Sequence, residues 1–228
     1  MSLPDNEYLR AFRAEPDATA TYHAWLRRPA GSAYERRRAQ VRRFAFAVPT
    51  EPALTIIGRF APIVELGAGT GYWAYLLRQR GVDVVAYDRF PPDRADNPNR
   101  LEPRLWTEVL EGDEQVLGRY PDRSLLLCWP SWRDPFAAAA LEVYTGATLL
   151  YIGEAAGGHT ADDRFFERLD RDWQAEASVD LPHWPGTSDR LTVFTRRPAA
   201  PATIRVCTSK RAIGSSASAS SAATRRSG

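Results

Sequence analysis

The sequence is poor in cysteine, histidine, methionine and lysine. Its 228 residues include two cysteines, three histidines, one methionine and one lysine. The two cysteines, Cys128 and Cys207, give no disulfide framework. The histidines, His23, His159 and His183, match no zinc-ligand spacing. We therefore predict no metal site and a reduced, cytoplasmic protein.

Long apolar runs are also missing. No segment approaches the roughly 18 apolar residues of a membrane span, and the acidic segment Met1–Glu7 has no apolar signal core. We therefore expect no membrane partner. The net charge is +2, but five basic residues and no acidic ones follow Arg197, which leaves 25 basic against 28 acidic residues before it, or −3. A slightly acidic body does not favour nucleic acid as a partner.

The length fits one globular domain, preceded by a helical region. In that region Tyr34, Val41, Phe44 and Val48 recur at helical spacing, and Glu51–Arg59 is predicted as a further helix. We predict a helical cap over residues 1–60 and an α/β domain over 61–197. Residues 198–228 are rich in Ala, Ser and Arg and are predicted to be a disordered, solvated tail. A tail that binds nucleic acid or a partner is the alternative.

Short apolar runs alternate with helical segments from residue 62 onward. This alternation is typical of a mostly parallel sheet covered by helices on both faces. Strands are predicted at Ile63–Leu66, Asp83–Tyr87, Leu105–Leu110, Ser124–Trp129, Ala147–Ile152, Trp173–Leu181 and Arg190–Arg196. Helices are predicted at Tyr72–Arg80, at Pro135–Tyr144 and after a capping sequence, Thr160-Ala161-Asp162-Asp163.

A glycine-rich turn follows the first predicted strand. Gly67, Gly69 and Gly71 would let a ligand approach the backbone closely. A dinucleotide site requires G-x-G-x-x-G, but Tyr72 occupies the position of its third glycine. The carboxylate of Glu65 would also repel a pyrophosphate, whereas it suits a ligand with an ammonium group and a cationic sulfur. A tight structural turn is the alternative.

The segment Val64-Glu65-Leu66-Gly67-Ala68-Gly69-Thr70-Gly71 resembles motif I, E/D-x-G-x-G-x-G, of class I S-adenosylmethionine-dependent methyltransferases. The resemblance covers about residues 60–197. It implies an α/β Rossmann-like three-layer sandwich whose seven-stranded sheet is mostly parallel with the last strand antiparallel, and S-adenosyl-L-methionine as cofactor. The segment Leu126–Pro130, followed by Tyr151–Glu154, resembles a set of uncharacterised methyltransferase-like proteins.

The resemblance also implies which residues hold the cofactor. Asp88 ends the second strand, 17 residues after Gly71, where an acidic residue accepts hydrogen bonds from both ribose hydroxyls. Asp113 resembles the position that contacts the adenine amino group, with a common Gly-Asp turn as the alternative. The predicted cofactor-binding residues are Glu65, Gly67, Ala68, Gly69, Gly71, Tyr72, Asp88, Arg89, Gly112, Asp113 and Cys128.

The methyl acceptor is expected at the end of the fourth strand. Cys128–Trp132 partly resembles the [DNS]-P-P-[YFW] motif of amino-methyltransferases that act on nucleic-acid bases and glutamine, but Trp129 replaces the polar residue. An aromatic slot of Trp129 and Trp132 remains, with strand-end packing as the alternative. The predicted catalytic residues are Trp129, Pro130 and Glu154, the last as a general base or a substrate anchor.

These patterns favour a methyltransferase that uses S-adenosylmethionine and acts on an unidentified acceptor. A small molecule or an amino group is expected, because basic residues are not clustered around the predicted site. Three alternatives stay open. They are a non-catalytic protein that binds the cofactor or its demethylated product, a nicotinamide-dependent oxidoreductase, and a nucleic-acid N-methyltransferase that uses the basic tail.

Overall fold

A seven-stranded sheet forms the centre of the molecule. The computed structural model describes residues 6–15, 32–92 and 104–198. The strands are β1 (Ile63–Leu66), β2 (Val84–Asp88), β3 (Leu110–Glu111), β4 (Ser124–Cys128), β5 (Thr148–Gly153), β6 (Trp173–Asp180) and β7 (Arg190–Arg196). The helices are α1 (Glu7–Ala14), α2 (Ser32–Arg43), α3 (Glu51–Gly58), α4 (Tyr72–Arg78), α5 (Phe136–Val143) and α6 (Asp163–Asp172), with a short 3₁₀ helix at Glu114–Arg119.

The strand order is β3-β2-β1-β4-β5-β7-β6. Strands β1 to β5 pair in parallel, while β7 runs antiparallel to both β5 and β6. The chain moves outward from β1 to β3 and then returns to place β4 on the other side of β1. Ligands bind at such a reversal, at the carboxyl ends of the strands. The predicted fold class is confirmed.

Alternate residues of the central strands enter two separate cores. Ile63 and Leu126 pack with the N-terminal helices and α4. Val64, Leu125 and Leu127 pack with α5 and α6 on the other face. This alternation follows from the two-residue period of a strand and produces three layers. It also explains why β1 and the middle of β4 are buried on both faces.

The third strand is much shorter than predicted. Only Leu110–Glu111 pairs with β2, whereas Leu105–Leu110 was expected. The reason lies at Trp106, whose indole N–H donates to the carbonyl of Arg43 at 2.7 Å. Its ring also packs against Phe44, with 5.4 Å between the ring centroids. The segment before β3 is thereby held by the N-terminal region and not by the sheet.

The capping sequence before α6 is shifted by two residues from its predicted start. Asp162 is the N-cap, and its carboxylate accepts from the backbone N–H of Phe165 at 3.0 Å. Thr160 is buried instead, with its hydroxyl 2.7 Å from the hydroxyl of Tyr151. The helix therefore starts at Asp163, because a carboxylate beside the first turn satisfies an amide that has no helical partner.

Buried contacts hold the N-terminal helices to the sheet. The ring of Tyr8 stacks on Phe44 with centroids 4.9 Å apart. Its backbone N–H donates to the hydroxyl of Tyr72 at 3.1 Å, and its own hydroxyl accepts from the indole of Trp184 at 3.3 Å. His23 and, apart from Pro198, the predicted tail lie outside the described residues. Within the described residues no helix could cross a membrane.

Candidate functional site

The turn between β1 and α4, here called the glycine turn (residues 65–71), depends on left-handed backbone. Gly67, Gly69 and Gly71 have φ angles of 75°, 54° and 74°, a region that side chains disfavour. At Gly71 space is also lacking, since a Cβ atom would lie 2.7 Å from Cγ2 of Val109. Glycine is thus required there for two independent reasons.

A cavity of about 260 Å³ opens beside this turn, at the carboxyl ends of β1, β2 and β4. The volume is slightly below the usual range of small-molecule pockets. Nine of the predicted site residues line it: Glu65, Gly67, Ala68, Gly69, Asp88, Arg89, Cys128, Trp129 and Pro130. The structure therefore brings together residues that the sequence places in three separate strands.

Four other predicted cofactor-binding residues do not line the cavity that the described residues form. Gly71 and Tyr72 begin α4 behind it. Asp113 caps the 3₁₀ helix by accepting from the N–H of Gln115 at 3.0 Å. Gly112 lies so close to Val116 that a Cβ atom would come within 2.6 Å of its Cγ1. Their roles in binding stay predictions.

Glu65 is a buried carboxyl in the cavity wall. It is 1% exposed, and its Oε2 has no hydrogen-bond partner among the described residues. Burial raises its pKa to about 8, while the backbone N–H of Ala74 and the charge of Arg78 oppose the rise and the charge of Asp88 adds to it. A cationic donor beside Oε2 would satisfy this atom and favour the ionised form.

Asp88 presents a carboxylate that the backbone holds in place. Its Oδ2 accepts from the N–H of Gly69, and its Oδ1 accepts from the N–H of Phe90, both at 2.8 Å. Burial raises its pKa, and these two hydrogen bonds limit the rise. Each carboxylate oxygen can accept more than one hydrogen bond. Asp88 can therefore hold two hydroxyl groups of a ligand.

Another part of the cavity wall comes from the β4 loop (residues 129–134), through Trp129, Pro130, Ser131 and Asp134. Trp129 has a φ of 53°, which is strained for a side chain of this size. Its indole N–H donates to Oδ1 of Asp189 at 2.7 Å. Its ring stacks on Phe46 with centroids 5.4 Å apart, and the guanidinium of Arg37 lies 5.8 Å from the ring centroid. The indole is therefore fixed from several directions.

Asp189 holds the site residue Trp129 in place, a role that the sequence did not indicate. It is 2% exposed, and burial raises its pKa to about 6, with the indole of Trp129 as the largest opposing influence. It lies 60 positions from Trp129 in the chain. No local sequence motif predicts a contact between residues so far apart in the chain, so this contact became visible only in the fold.

The N-terminal region closes one side of the cavity. Val41, Phe44, Ala45 and Phe46 contribute to its wall. The hydroxyl of Thr70 donates to the carbonyl of Phe44 and so joins this segment to the glycine turn. The helical pattern of residues 1–60 predicted a cap without indicating which residues would reach the site.

Glu154, predicted as a general base or substrate anchor, has both oxygens engaged. Its Oε2 accepts from the backbone N–H of His159 at 2.7 Å, and its Oε1 accepts from the N–H of Ser188 at 2.8 Å. It does not line the cavity that the described residues form beside the glycine turn, but a second cavity formed by residues of β5, α6, β6 and β7. Trp132 lines neither of these two cavities and is 53% exposed. The aromatic slot expected between Trp129 and Trp132 is therefore not part of the cavity beside the glycine turn.

Strand order, antiparallel β7 and a glycine turn after β1 occur here together. This chain has the fold implied by its resemblance to class I S-adenosylmethionine-dependent methyltransferases. No family model and no curated protein matches the chain.

Solved structures of low similarity do match. One is a 1,6-didemethyltoxoflavin-N1-methyltransferase from Burkholderia thailandensis, with 16% identity, coverage of 87% of this chain and 94% of that chain, and a TM-score of 0.44. Another is a magnesium protoporphyrin IX methyltransferase from Synechocystis, with 9% identity, coverage of 86% and 100%, and a TM-score of 0.44. At these values the similarities carry no information on ligand or reaction.

Proposed function

We propose that this protein is a methyltransferase that uses S-adenosylmethionine and acts on a small molecule or an amino group in a reducing cytoplasm. One observation carries the proposal. Glu65 is a residue of the cavity wall beside the glycine turn, and one of its buried carboxylate oxygens has no partner among the described residues. An unsatisfied buried group of this kind costs free energy that a ligand can recover.

The residues present fit this cofactor. Glu65 would accept from the ammonium group of its amino-acid end, and Asp88 would accept from its two ribose hydroxyls. When bound, S-adenosylmethionine supplies a methyl group on a cationic sulfur. A dinucleotide fits less well, because Tyr72 occupies the position of the third glycine that a dinucleotide-binding turn requires.

The remaining walls of the cavity suit a methyl transfer whose rate depends on how the two reactants are positioned. Phe44, Phe46 and Trp129 contribute apolar surface to the cavity wall. Holding two reactants in line can supply a large part of a rate enhancement. A general base is needed only when the acceptor must lose a proton. The site can therefore function without a further ionised residue at its centre.

Calorimetric titration of the full chain with S-adenosylmethionine, S-adenosylhomocysteine and NAD tests the proposal. We expect both sulfur ligands to bind and NAD to show no heat of binding under the same conditions. Adenosine serves as a control for binding through the nucleoside alone. Binding of NAD without binding of either sulfur ligand would refute the proposal and favour an oxidoreductase.

A second candidate is a protein that binds the cofactor without turnover. It is favoured by Trp129, whose indole N–H is already bound to Asp189, and by Glu154, whose two oxygens hold neighbouring loops. Incubation with methyl-labelled S-adenosylmethionine and a metabolite extract separates the two. Transfer of label to any small molecule supports the enzyme, whereas tight binding without transfer supports the second candidate.

A further inference from the structure

The β4 loop has few polar groups left to recognise an acceptor. The indole N–H of Trp129 already donates to Asp189, and Pro130 carries no side-chain donor or acceptor. Ser131 and Asp134 also line the cavity, and both are exposed, which places them at its mouth. They are the polar side chains with which this loop can contact a molecule that enters the cavity.

The loop is held in an unusual conformation that fixes these side chains. Among the described residues, left-handed φ angles at non-glycine positions occur at Trp129, Arg133 and Ala161. Two of these lie in the loop, and the third is bound to it through two hydrogen bonds. Arg133 donates its backbone N–H to the carbonyl of Ala161 at 2.8 Å, and Ala161 donates to that of Pro130 at 2.9 Å. Strain of this kind concentrates at functional sites.

The carboxylate of Asp134 keeps acceptor capacity in this conformation. Its Oδ1 accepts from the backbone N–H of Phe136 at 2.9 Å, and among the described residues it has no ion pair. The neighbouring Arg133 does not neutralise it, because its guanidinium is stacked over Trp132 at 4.2 Å from the ring centroid. An ionised carboxylate has about four acceptor positions, so several stay open at the mouth of the cavity.

We propose that Asp134 binds the nitrogen of the methyl acceptor, and that this acceptor is a small primary or secondary amine on an apolar skeleton. The inference rests on the proposed function and specifies its substrate class. A carboxylate selects an amine through charge-assisted hydrogen bonds. The bound ammonium would lose one proton to solvent at the exposed mouth of the cavity, its nitrogen lone pair would then form the bond to the methyl carbon, and the bond from that carbon to sulfur would break to leave the thioether of S-adenosylhomocysteine. The apolar skeleton would lie against Phe46 and Trp129, while Glu65 and Asp88 are engaged by the cofactor.

The experiment uses matched probes on the full chain saturated with S-adenosylhomocysteine. The amines are 2-phenylethylamine, tryptamine and cyclohexylmethylamine, and each is compared with its corresponding alcohol by ligand-observed NMR titration. We expect at least one amine to bind about ten-fold more tightly than its alcohol, as a hydrogen bond to a charged group predicts. Equal affinity within every pair, or no binding of any amine, would overturn the proposal.

Two variants separate recognition from structure. Asp134→Asn keeps an oxygen that can accept from Phe136 but loses the charge, so we expect the preference for the amine to disappear while the fold is kept. Asp122→Asn changes an exposed aspartate before the amino end of β4, and it should keep the preference. A preference that survives in Asp134→Asn would contradict the proposal.

Failure of the inference can be told apart from failure of the proposed function. If S-adenosylhomocysteine binds but no amine is preferred, only the inference fails. If S-adenosylhomocysteine does not bind, the proposed function fails, and the same probe titration on the free chain still reports on Asp134. Asp134→Asn should bind S-adenosylhomocysteine as the native chain does, because the residue is exposed and neither of the carboxyls proposed to hold that ligand, Glu65 and Asp88, is changed.

Discussion

Two parts of the cavity wall are built in different ways. The glycine turn and Asp88 come from one β-α-β unit, and their contacts join residues that are near in sequence, such as Gly69 and Asp88. The β4 loop depends on partners from distant parts of the chain, including Phe46 and Asp189. The first part consists of backbone geometry and fixed carboxyl groups, whereas the second is defined by tertiary packing.

Under the proposed function, this difference separates the residues that would hold the cofactor from those that would select the acceptor. A ligand bound by the glycine turn meets groups whose positions follow from local structure. A molecule at the β4 loop contacts groups whose positions depend on the N-terminal region and on the β6–β7 connection. Substitutions in either region can therefore move these groups. Substitutions in the two parts of the wall should thus have separable effects on stability, on binding of sulfur ligands and on binding at the mouth.

The largest effect is expected from Gly71→Ala, which breaks the glycine turn. The new Cβ would lie 2.7 Å from Val109 on backbone with a φ of 74°. Left-handed backbone and overpacking together predict a loss of about 3 kcal/mol in the free energy of unfolding. Urea denaturation measures the loss.

Gly81→Ala is the matched control for that change. Gly81 has a φ of 75°, but a Cβ atom added there would meet nothing within 4 Å. The backbone contribution alone predicts a loss of about 1 kcal/mol. Equal losses in the two variants would show that the close approach at Gly71 does not matter and would weaken the structural account of the turn.

Asp88→Ala should cause the next largest change, in ligand affinity. The variant loses the acceptors proposed for two ribose hydroxyls, and two hydrogen bonds of about 1.5 kcal/mol each correspond to a roughly 100-fold weaker binding of S-adenosylhomocysteine. Calorimetry measures the affinity. Asp83→Ala, which changes an exposed aspartate before the other end of β2, should bind normally. Normal binding by Asp88→Ala would mean that the assigned site geometry is wrong.

Glu65→Gln should change how stability depends on pH. An acid whose pKa is higher in the folded chain, here about 8 against a usual 4.5, binds a proton on folding. The native chain therefore loses stability as the pH rises between these values, by about 2 kcal/mol from pH 6 to pH 8. The variant should lack this loss in urea denaturation at both pH values. Parallel curves for the two proteins would contradict the assignment.

The smallest effect is expected from Asp189→Asn, which changes the hydrogen-bond partner of Trp129 in the β4 loop. The pKa of Asp189 is raised to about 6, so its contribution to stability also falls with rising pH. From pH 5 to pH 7 the variant should gain about 1 kcal/mol relative to the native chain. Its affinity for S-adenosylhomocysteine should be unchanged. Asp180→Asn, an exposed control, should show no such gain in stability. A loss of affinity for S-adenosylhomocysteine in Asp189→Asn would mean that the β4 loop and the glycine turn are energetically coupled, which contradicts the prediction.

The sequence predicted the glycine-turn part of the wall better than the other. Gly67, Gly69 and Asp88 belong to a strand-turn-helix pattern with a fixed spacing, so local signals were sufficient. Asp134 and Asp189 carry no such pattern, because their roles depend on the loop conformation after β4 and on a contact across the sheet. Strand β3 shows the same limit, since Trp106 is held by a tertiary contact that its own segment does not encode.

The central claim is that a bound sulfur ligand places its ammonium group beside Glu65. The number of protons released on binding tests this claim most directly. At pH 7 a carboxyl with a pKa of about 8 is mostly protonated. Binding of S-adenosylhomocysteine, whose ammonium group would lie beside Oε2, should release nearly one proton, measured by calorimetry in buffers of different ionisation enthalpy. The account predicts no release with 5′-methylthioadenosine, which lacks the amino-acid end, and none in Glu65→Gln. Equal proton release by both ligands in the native chain would contradict it.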